Sequence, residues 1–186
     1  MKRFWILLLA ACLAPAASAD EALWAKLKAG GHVVLIRHAS TEAGLGDPPG
    51  FKLGDCATQR NLSEAGREEA RRLGRQFKFR AINFTTVRSS QWCRCLETAR
   101  LTFGEEPEPW PALNSLHADA SGEAALVKEV SALAAKVKPP YNAVLVTHNF
   151  NIRALTGISP KEAEVIIVRS VGGKLEVVGR IPLPPQ

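Results

Sequence analysis

The segment GHVVLIRHAST (Gly31 to Thr41) runs from an apolar stretch directly into Arg37 and His38. Two other segments end in similar cargo. Ile82 to Val87 leads through Arg88-Ser89-Ser90 to Arg94, and NAVLVT (Asn142 to Thr147) leads into His148. Two arginines and two histidines around one point make a poor apolar core, because unpaired buried charge is costly. They make a good site for a phosphoryl group. Guanidinium groups stay charged and match phosphate oxygens in bidentate geometry. A neutral imidazole is a competent nucleophile toward phosphorus. Neighbouring cations and partial burial both lower a histidine's pKa, which keeps His38 unprotonated near neutral pH. His148 is then the cation or hydrogen-bond donor that stabilises charge on the transferring group.

Such chemistry requires elements that bring the three segments together. Val33 to Ile36 is a continuous apolar run of strand length, the pattern of a strand buried on both faces. Ile82 to Val87 and Asn142 to Thr147 read as further strands, and Glu164 to Val168 and Leu175 to Ile181 as a hairpin turning at Gly172-Gly173. Helices are expected from Asp20 to Ala29, ended by Gly30-Gly31, and after Ser63, with apolar positions at Ala65, Ala70, Leu73 and Phe77. A third follows a Ser89-Ser90 cap, with Trp92, Leu96, Ala99 and Leu101 on its stripe. A fourth spans Glu123 to Val137 and stops at Pro139-Pro140, and a helix or turn runs through Leu155 to Gly157. PALNSLHADASG is expected to hold a brief strand and a loop. Strands alternating with helices give an α/β class with a mainly parallel sheet, without internal repeat or second domain. Parallel strands bring their carboxyl ends to one rim, where such sheets bind ligands. Arg94, in the first turn of its helix, adds the phosphate preference of a helix N-terminus. Arg37 and His38 would point to opposite faces of a regular strand. Both reach one ligand only if the chain bends after them, and Ala39, Ser40 and Thr41 are small enough to allow it.

At 186 residues, 46% hydrophobic and 23% charged, the chain suits one globular domain. Met1-Lys2-Arg3, the apolar Phe4 to Leu13 and the small-x-small Ala17-Ser18-Ala19 have the order of a secretory leader. Residues 1–19 are therefore expected to be a signal peptide and 20–186 the single domain, giving a periplasmic or secreted product. Leu9-Ala10-Ala11-Cys12 is the competing lipobox reading, with a lipid anchor on Cys12. Loss of Lys2 and Arg3 takes the formal charge from +6 to +4, which makes no strong case for nucleic acid. RNLSEAGREEARRLGRQFKFR mixes both signs, as a solvated helix face does. Cys56, Cys93 and Cys95 remain, and an oxidising compartment favours a disulfide from Cys56 to one of the other two. Zinc is the alternative, which the spacing fits poorly. Residues 43–61, rich in Gly, Pro and Asp, form a long loop of the kind that is often functional.

LIRHAST resembles the Arg-His-Gly signature of the histidine phosphatase superfamily, in its phosphoglycerate-mutase-like branch. NLSEAGREEA is similar to that family's Leu-Thr-x-x-Gly-x-x-Gln-Ala helix start. SSQWCRCLETA resembles its Thr-Ser-x-x-x-Arg-Ala-x-x-Thr-Ala segment, which places the pocket arginine at Arg94 and not at Arg88. VTHNFNIRALTG is similar to the segment bearing the second core histidine. The resemblance implies a three-layer α/β sandwich and a phosphohistidine intermediate on His38. It further implies phosphoryl binding by Arg37, Arg94 and His148, a phosphate contact at Thr41 (with a turn hydroxyl as its structural alternative), and no metal or cofactor.

The chain departs from the pattern in places. Ala39 replaces the usual glycine, a mild change if φ is negative there. Ser115 stands where many members carry a glutamate general acid, and Asn149 where a second branch carries an aspartate. Another group must then protonate the leaving oxygen, unless the leaving group is a good one. Asp119 is the first candidate, with a loop or cap aspartate as its structural alternative; His117 and Glu42 are the others. Arg88 and Arg60 supply substrate charge or are ordinary surface arginines. His32 reads as structural or exposed, and Trp92 as core. The function expected is a phosphatase acting on a phosphorylated small molecule, glycan or lipid headgroup, with no nucleic-acid partner and no stable membrane insertion after leader removal. A phosphomutase and a catalytically silent binder of phosphorylated ligands or polyanions are the competing readings.

Overall fold

Residues 15–44 and 46–183 are described by the structure, a computed structural model. Its helices are α1 (Pro15–Ala29), α2 (Glu64–Phe79), α3 (Cys93–Phe103), α4 (Glu123–Ala134) and α5 (Asn149–Thr156). Its strands are β1 (Val33–Arg37), β2 (Phe84–Ser89), β3 (Glu108–Pro109), β4 (Asn142–Thr147), β5 (Val165–Val171) and β6 (Lys174–Ile181). Residues 1–14 of the expected leader, Cys12 included, lie outside the described residues, and α1 begins at Pro15, ahead of the expected start near Asp20. Among the described residues no helix is long and apolar enough to cross a membrane.

The six strands form one sheet in the order β3-β2-β4-β1-β5-β6. β1, β2, β3 and β4 are mutually parallel, β5 runs antiparallel to β1, and β6 antiparallel to β5. Successive strand residues face opposite sides, and the core divides accordingly. Val34 and Ile36, with Val144 and Val146, pack on Trp24 and Leu27 of α1, Leu73 and Phe77 of α2, and Ala99 of α3. Val33 and Leu35, with Ala143 and Leu145, pack on Leu126 and Val130 of α4 and Ile152 of α5. The result is the expected three-layer, mainly parallel α/β sandwich. Leu35 is fully buried, and truncating a side chain so placed to alanine costs about 2–5 kcal/mol.

Several local expectations shift. The brief strand lies earlier, at Glu108–Pro109, and Pro111–Leu113 is a 3-10 turn. α4 stops at Ala134 instead of Val137. Ser89 belongs to β2, and Trp92 is the N-cap of α3, without a side-chain capping bond. Ser63 caps α2 as expected, accepting from the Gly66 N–H, but Ala65 is exposed and Gly66 faces inward. Gly66 has a positional reason: a Cβ there would lie 1.9 Å from the Ser40 carbonyl oxygen. That contact seats α2 on the chain as it leaves β1.

Candidate active site

Strand register builds the site. Arg37 pairs with Thr147 across β1 and β4, and Ser89 with Val146 across β2 and β4. The next residue of each outer strand extends the ladder: His38 N–H donates to the Thr147 carbonyl, and Ser90 N–H to that of Val146, each at 3.0 Å. His38, His148 and Ser90 therefore leave the sheet side by side. The chain bends after His38. Ala39 N–H donates to Thr98 Oγ1, while Ser40 donates from its N–H and its hydroxyl to the two Glu69 carboxylate oxygens. Ala39 does not have positive φ, so alanine costs nothing in place of glycine.

One cavity of about 470 Å³ is lined by Arg37, His38, Arg94 and His148, together with Arg60, Ser115, His117, Asn149, Phe150 and Glu162. The two imidazoles meet edge-on, with ring centroids 5.4 Å apart. His38 Nδ1 lies 2.9 Å from the Ala39 carbonyl oxygen. A carbonyl only accepts, so Nδ1 carries the proton and Nε2 keeps its lone pair. Burial lowers the His38 pKa to about 3, with the Arg94, Arg37 and Arg60 charges acting in the same direction. Burial also lowers His148 well below the usual histidine range, helped by His38 and the same arginines. His148 Nε2 bonds the Ser90 hydroxyl at 2.8 Å.

The arginines are held by protein groups that the sequence did not point to. Arg94 Nη1 donates to Asp47 Oδ1 at 2.8 Å. The same carboxylate accepts from the Arg60 N–H and from Trp92 Nε1. These bonds outweigh its burial and hold the Asp47 pKa below the usual range. Arg37 donates to the Pro160 carbonyl at 2.8 Å and to Glu162 Oε1 at 2.5 Å. Arg60 lines the cavity and is no ordinary surface arginine; it donates to the Thr41 hydroxyl. Burial lowers its pKa, with Arg94 the next cause. Nε of Arg37, of Arg60 and of Arg94 is buried without a hydrogen-bond partner.

Other candidates lie elsewhere. Asp119 is exposed, its carboxylate accepts from the Ser121 N–H as a cap, and it lines an adjoining cavity with Ser115 instead of the one holding His38. The cap alternative is therefore the observed geometry. Thr41 is engaged with Arg60 and is not among the residues lining the cavity, so it positions a cation. Glu42 lines an adjoining surface cavity, with Asp47 and Arg60. Arg88 pairs with Glu108 and covers the Trp110 ring. His32 sits at the far end of β1, its pKa lowered by burial. Trp92 is buried in the core and presents its ring edge-on to His148. Cys56 and Cys93 form the disulfide, which ties the 43–61 loop to the first turn of α3, and Cys95 is a buried free thiol. Asp47 was hidden among Gly and Pro, and Glu162 in a run of ordinary charges; only the fold brings them to Arg94 and Arg37.

A family model, the histidine phosphatase superfamily (branch 1), matches residues 33–125. A search of curated proteins by sequence finds no match. Among solved structures the chain is similar to the protein histidine phosphatase SixA complexed with tungstate, at 15% identity and TM-score 0.59, covering 81% of this chain and 96% of that one. It is similar to Bacillus stearothermophilus YhfR, at 18% identity and TM-score 0.59, covering 79% and 95%. Entamoeba histolytica phosphoserine phosphatase in complex with 3-phosphoglyceric acid matches at 16% identity and TM-score 0.57, covering 80% and 95%. At these identities the likeness concerns the fold. The family match spans β1, the loop, α2, β2 and α3, the elements that carry His38 and Arg94, and by it the chain belongs to the histidine phosphatase superfamily.

Proposed function

We propose that this protein is a phosphatase that hydrolyses a phosphate monoester through a phosphohistidine on His38. The observation that carries the reading is the state of His38. Its Nδ1–H is committed to the Ala39 carbonyl, which leaves a neutral Nε2 in a cavity with three guanidiniums. The phosphate oxygens meet Arg37, Arg60 and Arg94, which line that cavity. Nε2 attacks phosphorus in line with the leaving oxygen, the P–O bond breaks, and water then cleaves the P–N bond. His148, whose Nε2 meets the Ser90 hydroxyl at 2.8 Å, lies beside His38 and takes the part of a further donor to the transferring group. Each such donor contributes about 3–4 kcal/mol to a transition state of this kind.

A cavity of about 470 Å³ suits a small molecule, and a phosphorylated small molecule is the substrate class proposed. Hydrolysis, as opposed to transfer within a mutase, is supported by the exposure of Gly44, His117 and Phe150 along the wall, which admits water. The proposed setting is periplasmic or secreted. The Cys56–Cys93 disulfide suits an oxidising compartment, and residues 1–19 have the composition of a leader. The test is turnover of 4-nitrophenyl phosphate together with mass spectrometry of the quenched enzyme. The expected result is turnover lost in His38→Ala and an acid-labile phosphoryl group on His38 of the wild type. Undiminished turnover in His38→Ala would falsify the mechanism, and binding of phosphate esters without turnover by the wild type would make the protein a silent binder.

A further inference from the structure

A monoester of an ordinary alcohol leaves as an unstable alkoxide unless a proton reaches its oxygen as the P–O bond breaks. The phosphatase reading therefore requires a donor at the cavity, and the side chains there differ in fitness for the task. Asp47 is held as a carboxylate by Arg94, Trp92 and the Arg60 N–H. Glu162 is bound to the Arg37 guanidinium. His38 and His148 are buried and neutral, and each is committed by one ring nitrogen. Asp119 accepts from the Ser121 N–H as a cap, and Glu42 lines the adjoining surface cavity and not the one holding His38.

We propose that His117, the exposed imidazole of this cavity, is the acid that protonates the leaving oxygen and the base that activates water. Two observations place it. Its ring stacks on Phe150, with centroids 5.2 Å apart and planes 19° from parallel, which fixes its orientation at the rim. Its Nε2 faces Gly46, where an added Cβ would lie 4.0 Å away, across the loop that carries Asp47. No hydrogen-bond partner occupies either of its nitrogens among the described residues. The charged groups around it are Arg37, Arg60, Arg94 and Glu162 in the cavity, and Arg153 against Phe150. In the first step the P–O bond breaks as the P–N bond to His38 forms, and the His117 proton passes to the leaving oxygen. In the second, water attacks phosphorus, His117 takes the water proton, and phosphate leaves with both imidazoles restored.

This inference rests on the phosphatase reading, and leaving-group dependence separates the two. kcat/KM is measured for wild type, His117→Gln and His117→Asn with 2,4-dinitrophenyl phosphate, whose leaving group needs no proton, and with phenyl phosphate and an alkyl phosphate, which do. kcat/KM reports every step up to formation of the phosphohistidine. The expected result is loss of about 100-fold on the alkyl ester, a smaller loss on the phenyl ester, and change within about threefold on the dinitrophenyl ester. Equal losses on all three esters, or none on the alkyl ester, overturn the assignment while leaving the phosphatase intact. Turnover of no ester by the wild type overturns both. Because His117 is exposed, its replacement leaves the core packing unchanged.

Discussion

The depressed pKa of His38 makes folding stability depend on pH in a calculable way. A histidine in the unfolded chain titrates near 6.5, whereas His38 in the fold titrates near 3 because it is buried among arginines. The unfolded state therefore binds a proton that the folded state refuses. Stabilisation from this group is complete above pH 6.5 and is lost as pH falls toward 3. Between pH 7 and pH 5 the loss is about 2 kcal/mol, as linkage gives for an unfolded value of 6.5 and a folded value of about 3. The assay is urea unfolding at pH 7, 6 and 5 in phosphate-free buffer, for the wild type and for His38→Asn, which keeps a donor for the Ala39 carbonyl. Carboxylates contribute to both proteins and cancel in the difference; His148, lowered chiefly by burial and next by His38, keeps its burial contribution in both. The wild type is expected to lose about 2 kcal/mol more than the variant over this interval. Parallel pH dependences would refute the claim that His38 is buried as a neutral imidazole, and with it the poised nucleophile.

Two further outcomes follow from the packing around the site. The Cys56–Cys93 disulfide joins residues 37 apart, and chain entropy assigns a loop of that length about 4 kcal/mol. Cys56→Ser/Cys93→Ser should lower the urea midpoint accordingly, and an unchanged midpoint would show that the loop is held by its other bonds alone. Gly66→Ala places a methyl against the Ser40 carbonyl oxygen. Overpacking of this kind costs about 1–3 kcal/mol, and it should also lower kcat/KM for an aryl phosphate, because Ser40 ends the bend that aims His38; unfolding and steady-state kinetics measure the two effects.

What could be read in the residues, and what could not, divides along physical lines. Val33 to Ile36 and Asn142 to Thr147 were legible as strands because both faces of each are buried. The ends of β1 and β2 were less so: Arg37 and Ser89 join the ladder because partners across the sheet continue it, which side-chain type does not encode. β3, only Glu108–Pro109 and fully exposed, exists through pairing with β2 and has no apolar signature of its own. Apolar spacing suggested that α4 would reach Val137, yet the chain leaves the helix at Ala134. The convergence of Arg37, His38, Arg94 and His148 was legible because each follows a recognisable strand. Arg60 was legible only as one of two open alternatives, and Asp47 and Glu162 not at all, since their positions depend on how two loops close over the sheet's rim. Asp119 misled because a polar loop residue ahead of a helix looks the same in sequence whether it caps or catalyses.

The carboxylates at this site explain how a fold can hold so much positive charge ready for an anion. Three guanidiniums facing one cavity would repel one another and lose hydration without compensation. Asp47 and Glu162 answer for Arg94 and Arg37, and Thr41 gives Arg60 a neutral acceptor. In each case the bond is made through a terminal nitrogen, and Arg94 and Arg60 use only one of their two for it. The planar fork of arginine permits this division: one part anchors to the protein while another stays available to a ligand oxygen. A lysine has three donors on a single nitrogen, so its anchor and its ligand contact would have to crowd round one atom. The counter-charges thus hold the arginines in place for the anion, and a substrate oxygen can be received without breaking the ion pairs that position them.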